Sequence, residues 1–133
     1  MMRITKMIID TSVFIAFYDK QDPKHQKATE LIRQADEQGK LFISDYIINE
    51  TATVALRKMG IEKAKEITDT LINSEKIIVG YTTQEDFKEI VEIFKNQNDS
   101  LSFVDCSIIL MAKSLNMEVA SFDKNLLAQI KHK

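Results

Sequence analysis

Met7-Ile8-Ile9-Asp10-Thr11-Ser12-Val13-Phe14-Ile15-Ala16-Phe17 is the stretch whose reading decides the fold. Three consecutive apolar residues read as a short strand buried on both faces, the pattern of a parallel sheet. An acid, two hydroxyls and a new apolar run follow. Ser12 is expected to cap a short helix over Val13–Phe17. A strand that ends in a carboxylate just as a helix begins places that carboxylate at the rim of a parallel sheet, where open α/β folds bind ligands.

Working outward, strands and helices alternate along the chain. Pro23 suits a helical first turn, and Ala28, Leu31, Ile32 and Ala35 recur at helical spacing before Gly39. Leu41-Phe42-Ile43 reads as a second strand, and Ser44 or Asp45 can cap a helix running to Met59. Ile48, Ala52, Ala55, Leu56 and Met59 form its expected main apolar stripe, with Ile47 and Val54 on a second face. Gly60 separates it from a helix carrying Ile61, Ala64, Ile67 and Leu71. Ile77-Ile78-Val79 is a third strand. Thr82 or Thr83 opens a helix with Phe87, Ile90, Val91 and Phe94. Ser102 to Leu115 is the most apolar helix and Asn116 can stop it. Glu118-Val119-Ala120-Ser121 is a fourth strand, and Leu126, Leu127 and Ile130 mark a last short helix. The alternation implies βαβ crossovers: an α/β, three-layer α/β/α sandwich around a short, mostly parallel sheet of four or five strands, the first strand central.

Composition sets bounds. The 133 residues fit one domain, 1–133, with 44% apolar and 29% charged residues. One cysteine, Cys106, excludes an internal disulfide and fits a reducing compartment. No apolar run approaches the roughly 18 residues of a membrane span. The expected location is cytoplasmic. A net charge of −2 argues against coating nucleic acid by bulk electrostatics, though not against touching it locally around an acidic site.

Four carboxylates fall in apolar settings. Asp10 ends the first strand. Glu50 lies between Ile47 and Val54. Asp105 shares a helix face with Ile108, Ile109 and Ala112. Asp123 follows the fourth strand. Each has a structural reading: Asp10 and Asp123 as turn residues, Glu50 as a partner of the helix dipole, Asp105 as the acid of a capping box with Ser102. Together they are harder to explain that way, because unpartnered acids drawn toward a core are costly and repel one another. Cationic side chains or a bound cation would relieve this. Lys124 and Arg57 are the nearest cations in sequence, which favours metal, and an all-oxygen donor set selects a hard ion, Mg²⁺ or Mn²⁺. His25, His132 and Cys106 lack ligand-like or nucleophile-like spacing; the two histidines are expected to face solvent and the thiol to pack in the core.

The ordered set Ile9-Asp10-Thr11-Ser12, Asn49-Glu50, Leu101-Ser102-Phe103-Val104-Asp105 and Ser121-Phe122-Asp123 resembles the PIN-domain ribonucleases, and most of all the VapC-type toxins of toxin–antitoxin pairs. The resemblance implies hydrolysis of RNA phosphodiesters with Mg²⁺ or Mn²⁺. It implies catalytic roles for Asp10, Glu50, Asp105 and Asp123, with metal on Asp10, Asp105 and Asp123 and supporting hydroxyls on Ser12 and Thr11. It also implies an RNA substrate, a small antitoxin partner and a homodimer. Many relatives carry a further acid where this chain has Asn125, which leaves one ion or two open, and many end in a further edge strand. The alternatives are a PIN nuclease of RNA processing without a toxin role, a phosphoryl-transfer or receiver-like domain using Asp10, and a non-catalytic relative that only binds RNA or protein. Haloacid-dehalogenase-like phosphatases want an acid where Ser12 stands, and receivers want a lysine that Lys124 supplies poorly.

Overall fold

The computed structural model describes residues 6–131. The expected elements form: β1 (Met7–Ile9), α1 (Thr11–Tyr18), α2 (His25–Glu37), β2 (Leu41–Ser44), α3 (Asp45–Met59), α4 (Ile61–Asn73), β3 (Ile77–Gly80), α5 (Gln84–Asn96), α6 (Phe103–Leu115), β4 (Glu118–Ala120) and α7 (Lys124–Lys131). The four strands lie in the order β3-β2-β1-β4 and every pair is parallel. β1 is interior, as its unbroken apolar run requires, with Ile8 and Ile9 fully buried. The helix α7 reaches Lys131, so a further edge strand is not found among the described residues; His132 lies outside them.

Chain order and handedness assign the layers. The path steps β1 to β2 to β3 in one direction, and right-handed crossovers put α1–α4 on one face. The return from β3 to β4 runs the other way, so α5 and α6 cover the opposite face, and α7 packs on α6. The direction of winding therefore reverses between β1 and β4. That reversal opens a crevice at the carboxyl ends of these two strands.

Local signals explain the boundaries. Ser44 caps α3, its hydroxyl accepting from the Ile47 N–H at 3.2 Å. Asp45 instead accepts from the backbone and hydroxyl of Thr82, at 3.1 and 2.6 Å, tying α3 to the end of β3. That leaves Thr83 as the cap of α5. Gly60, at φ 87°, joins α3 to α4 where a side chain would be strained. Asn116 ends α6 in the left-handed region at φ 52°, tolerated by its short polar side chain.

Four expectations need correction. The cap of α1 is Asp10, whose side chain accepts from the Thr11 N–H; Ser12 sits inside the first turn, because the helix begins one residue after the strand ends. Pro23 precedes α2, which starts at His25, in a turn where the Asp22 carboxylate accepts from the Lys24 N–H. On α3 the buried face is Ile47, Thr51 and Ala55, whereas Leu56 is 47% exposed. Sheet and α1 meet α3 one residue round from the stripe that hydrophobicity alone selects. His25 is half-buried and its Nδ1 lies 2.8 Å from the Ala16 carbonyl, locking α2 to α1. Cys106 is buried in the core as expected.

Candidate active site

The crevice collects all four acids. Asp10, Glu50, Asp105 and Asp123 line one open cleft of about 560 Å³. Asp10 arrives on the end of β1 and is only 5% exposed. One oxygen accepts from the Thr11 N–H at 2.8 Å. The other accepts from the hydroxyls of Ser12 at 3.1 Å and Ser121 at 2.7 Å. Its carboxylate thus has a single orientation. Ser12 also accepts from the Phe122 N–H, at 3.2 Å, and Ser121 from the Asp123 N–H, at 3.0 Å. The two serines stitch the ends of β1 and β4 together around the acid.

Asp123 opens α7, accepting from the N–H groups of Asn125 and Leu126 at 3.0 and 3.1 Å. Asp105 is the acid of a complete capping box on α6: its N–H donates to Ser102 Oγ, and the Ser102 N–H donates back to its carboxylate, both at 3.0 Å. Glu50 stands one turn into α3, beside Val54 on the cleft wall. The adjacent Thr51 is fully buried and donates to the Thr11 hydroxyl at 3.3 Å, which ties α3 to α1 behind the cleft.

Burial and mutual repulsion disfavour the ionised forms of three of these acids. Burial pushes the Asp10 carboxyl above its ordinary range, against the hydrogen bonds of Ser121, Ser12 and Thr11, and the charge of Asp123 adds to the rise. Burial likewise raises Glu50, opposed by Thr11 and reinforced by Asp10 and Asp105. Asp105 is raised by burial, against its Ser102 bonds, and further by Asp123 and Asp10. Among the described residues no ion pair engages any of the four. Raised acids that sense one another across a cleft are a mark of functional sites.

Both structural and functional readings of single residues survive here. Asp105 does cap its helix and Asp123 does hold a turn, yet each also faces the cleft. Ser12 and Thr11 lie beside Asp10 and Glu50 as expected. Thr51 and Lys24 are not singled out by the sequence, Ser121 enters only within the Ser121-Phe122-Asp123 motif, and Lys58 reads there with Arg57, Lys63 and Lys65 as a basic, solvated face. Ser121 had a readable signal: Ile9 pairs with Ala120, so the next residues, Asp10 and Ser121, end their strands side by side. Nothing local marks Lys24 and Lys58 as cleft residues, because their proximity depends on how α1, α2 and α3 pack.

An all-oxygen set with no cationic partner among the described residues suits a hard divalent ion. Among the described residues no three acid, histidine or cysteine side chains stand close enough together to ligate one ion. The donor chemistry fits while the cage remains open.

A parallel four-stranded α/β sheet with acids gathered at its winding reversal defines the class. The family profile of the PIN domain matches residues 7–133, and the chain belongs to that family. Solved structures agree on the fold. Mycobacterium tuberculosis VapC20, described as a sarcin–ricin loop cleaving toxin, superposes with a TM-score of 0.84 at 22% identity, covering 92% of this chain and 94% of that one. FitAB bound to an IR36 DNA fragment matches at 0.63 and 16% identity, over 94% of this chain and 90% of that one. PAE2754 from Pyrobaculum aerophilum matches at 0.57 and 20% identity, over 96% and 87%. No curated protein sequence matches the chain.

Proposed function

We propose that this protein is a metal-dependent ribonuclease that hydrolyses RNA phosphodiester bonds, using Mg²⁺ or Mn²⁺, as the toxin of a toxin–antitoxin pair. The observation that carries the reading is the convergence of Asp10, Glu50, Asp105 and Asp123 on one cleft where, among the described residues, no cationic side chain pairs with any of them. Membership of the PIN family and the likeness to VapC20 support it. The resemblance to VapC-type toxins further supports a small antitoxin partner, a homodimer and a cytoplasmic setting.

In this reading Asp10, Asp105 and Asp123 would hold the ion together with an oxygen of the substrate's phosphate, for which the open set of side chains leaves room. When bound, it supplies Lewis-acid activation of water and draws charge from the phosphodiester. The protein's own work is positional. Ser12, Ser121 and the Thr11 N–H keep the Asp10 carboxylate in one orientation, so no reorganisation is needed when substrate arrives. The Ser102 box does the same for Asp105. Glu50, half-buried with a raised pKa, orients the attacking water and takes its proton.

The test is a cleavage assay on single-stranded RNA with Mg²⁺, with Mn²⁺ and with EDTA, beside Asp10→Asn. Cleavage should need added metal, and the substitution should lower the rate by at least about a hundred-fold. An Asp10→Asn protein that cleaves at the unaltered rate would sink the proposal.

A further inference from the structure

Two lysines border the acidic cleft without neutralising it. Lys24 lies in the turn before α2, and Lys58 lies in the last turn of α3, two turns beyond Glu50; both line the same cleft as the four acids. They approach from different sides. Lys24 meets Phe122, which follows β4, whereas Lys58 extends from the helix after β2, and these strands flank β1. Ordinary electrostatics would fold two flexible ammonium groups onto such a cluster of carboxylates. Among the described residues neither forms an ion pair. The Lys24 ammonium sits instead 4.9 Å from the centre of the Phe122 ring. The main chain that carries the ring is anchored, because the Phe122 backbone N–H donates to Ser12, the same hydroxyl that holds Asp10. Lys58 also benefits from the dipole at the end of α3, but the dipole does not require it to face the cleft.

We infer that Lys24 and Lys58 bind the backbone phosphates on either side of the scissile one, and that Phe122 is a positioning residue that holds Lys24 ready. The inference rests on the ribonuclease reading and adds the strand's path across the site. An ammonium over an aromatic face is oriented yet keeps its charge available. A carboxylate partner would cancel that charge. Two cations flanking a metal-type acid cluster give the cleft an alternation of positive, cation-seeking and positive ground. A polyanionic strand matches that sequence with three successive phosphates, the middle one at the acids.

The test measures binding separately from cleavage. Fluorescein-labelled single-stranded RNA of twelve nucleotides is titrated with Asp10→Asn protein in Mg²⁺ over a series of KCl concentrations. Adding Lys24→Ala and Lys58→Ala should weaken binding about ten-fold or more at low salt. It should also flatten the dependence of log K on log salt by about 1.4, since each lost phosphate contact on a single strand removes about 0.7. Restoring both positions as arginine should recover the slope, whereas Lys113→Ala, at the other end of α6 from Asp105, should leave it unchanged. Phe122→Leu should weaken binding when Lys24 is present and have no further effect once Lys24 is alanine. Unchanged affinity and slope in the double lysine variant, with RNA still cleaved by the unaltered protein, overturns the inference alone. If the unaltered protein neither binds nor cleaves RNA, the ribonuclease reading falls and the inference with it.

Discussion

Two helices of this protein begin with the same device. On α5, Thr83 and Asp86 form a complete capping box; on α6, Ser102 and Asp105 form another. The hydroxyl accepts from the acid's N–H at 3.0 Å in both, and the returning bond is 3.4 Å in the first and 3.0 Å in the second. Sequence spacing, hydrogen bonding and helix-starting role coincide. Their surroundings do not. Asp105 opens onto the cleft shared with Asp10, Glu50 and Asp123, whereas Asp86 lines a separate pocket with Gly80 and Tyr81 beside β3. The difference teaches that topology decides where a capping acid faces. Asp105 faces the cleft because α6 leads into β4, at the reversal of winding, while α5 begins beside the edge strand β3.

Substituting both acids puts that comparison at risk. Asp105→Ala should lower RNA cleavage by about a hundred-fold or more, and Asp86→Ala should leave the rate unchanged while costing about 0.5–2 kcal/mol of stability. Equal losses of activity in a paired assay would mean that the capping role, and not the cleft, is what matters at Asp105.

Metal and pH sharpen the same contrast through stability. Asp10, Glu50 and Asp105 have carboxyl pKa values raised on folding, so the folded chain binds their protons more readily than the unfolded chain. Their contribution to stability is therefore fully present below the ordinary carboxylate range and is lost as pH rises through the raised folded values. Without divalent metal, the melting temperature should fall as pH rises across that window. At neutral pH, Mn²⁺ at about 100 times its dissociation constant should restore about 2.7 kcal/mol. The gain should shrink as the acids protonate. Calorimetry should show this gain reduced in Asp105→Ala and intact in Asp86→Ala. A metal effect that ignores Asp105 would separate it from the site.

The smallest effect concerns the hydroxyls. Thr83→Ala and Ser102→Ala should each cost about 1 kcal/mol by chemical denaturation, as lost caps do. Only Ser102→Ala should also slow cleavage, because it alone frees a carboxylate at the cleft.

These paired helices also show what could be read in advance. The strands and helices were legible because Met7–Ile9, Leu41–Ile43, Ile77–Val79 and Val119-Ala120 are short apolar runs between helical periodicities with recognisable caps. The four acids stood out because each sits against apolar neighbours. Asp105 and Asp86 could not be told apart by their capping boxes, since the boxes are alike. What separated them was the apolar face on α6 below Asp105, with Ile108, Ile109 and Ala112 all buried. The buried face of α3 was misjudged because hydrophobicity favours Leu56 over Thr51. Thr51 is buried by its contact with Thr11, a partner 40 residues away. Lys24 carries no signal, and Lys58 reads only as part of a solvated basic face, for the same reason. Long-range packing brings them to the cleft, and no short window of sequence records it.

The bond from Ser121 to Asp10 has one more consequence. It joins residues 111 positions apart, and the neighbouring bond from Phe122 to Ser12 spans 110. During synthesis, Asp10 precedes the serine that orients it by about 5–20 s at ordinary elongation rates. A nascent chain that stops short of β4 carries the acid without its bracket. The bracket around Asp10 is thus completed only once β4 has been made, a built-in delay between making the acid and orienting it.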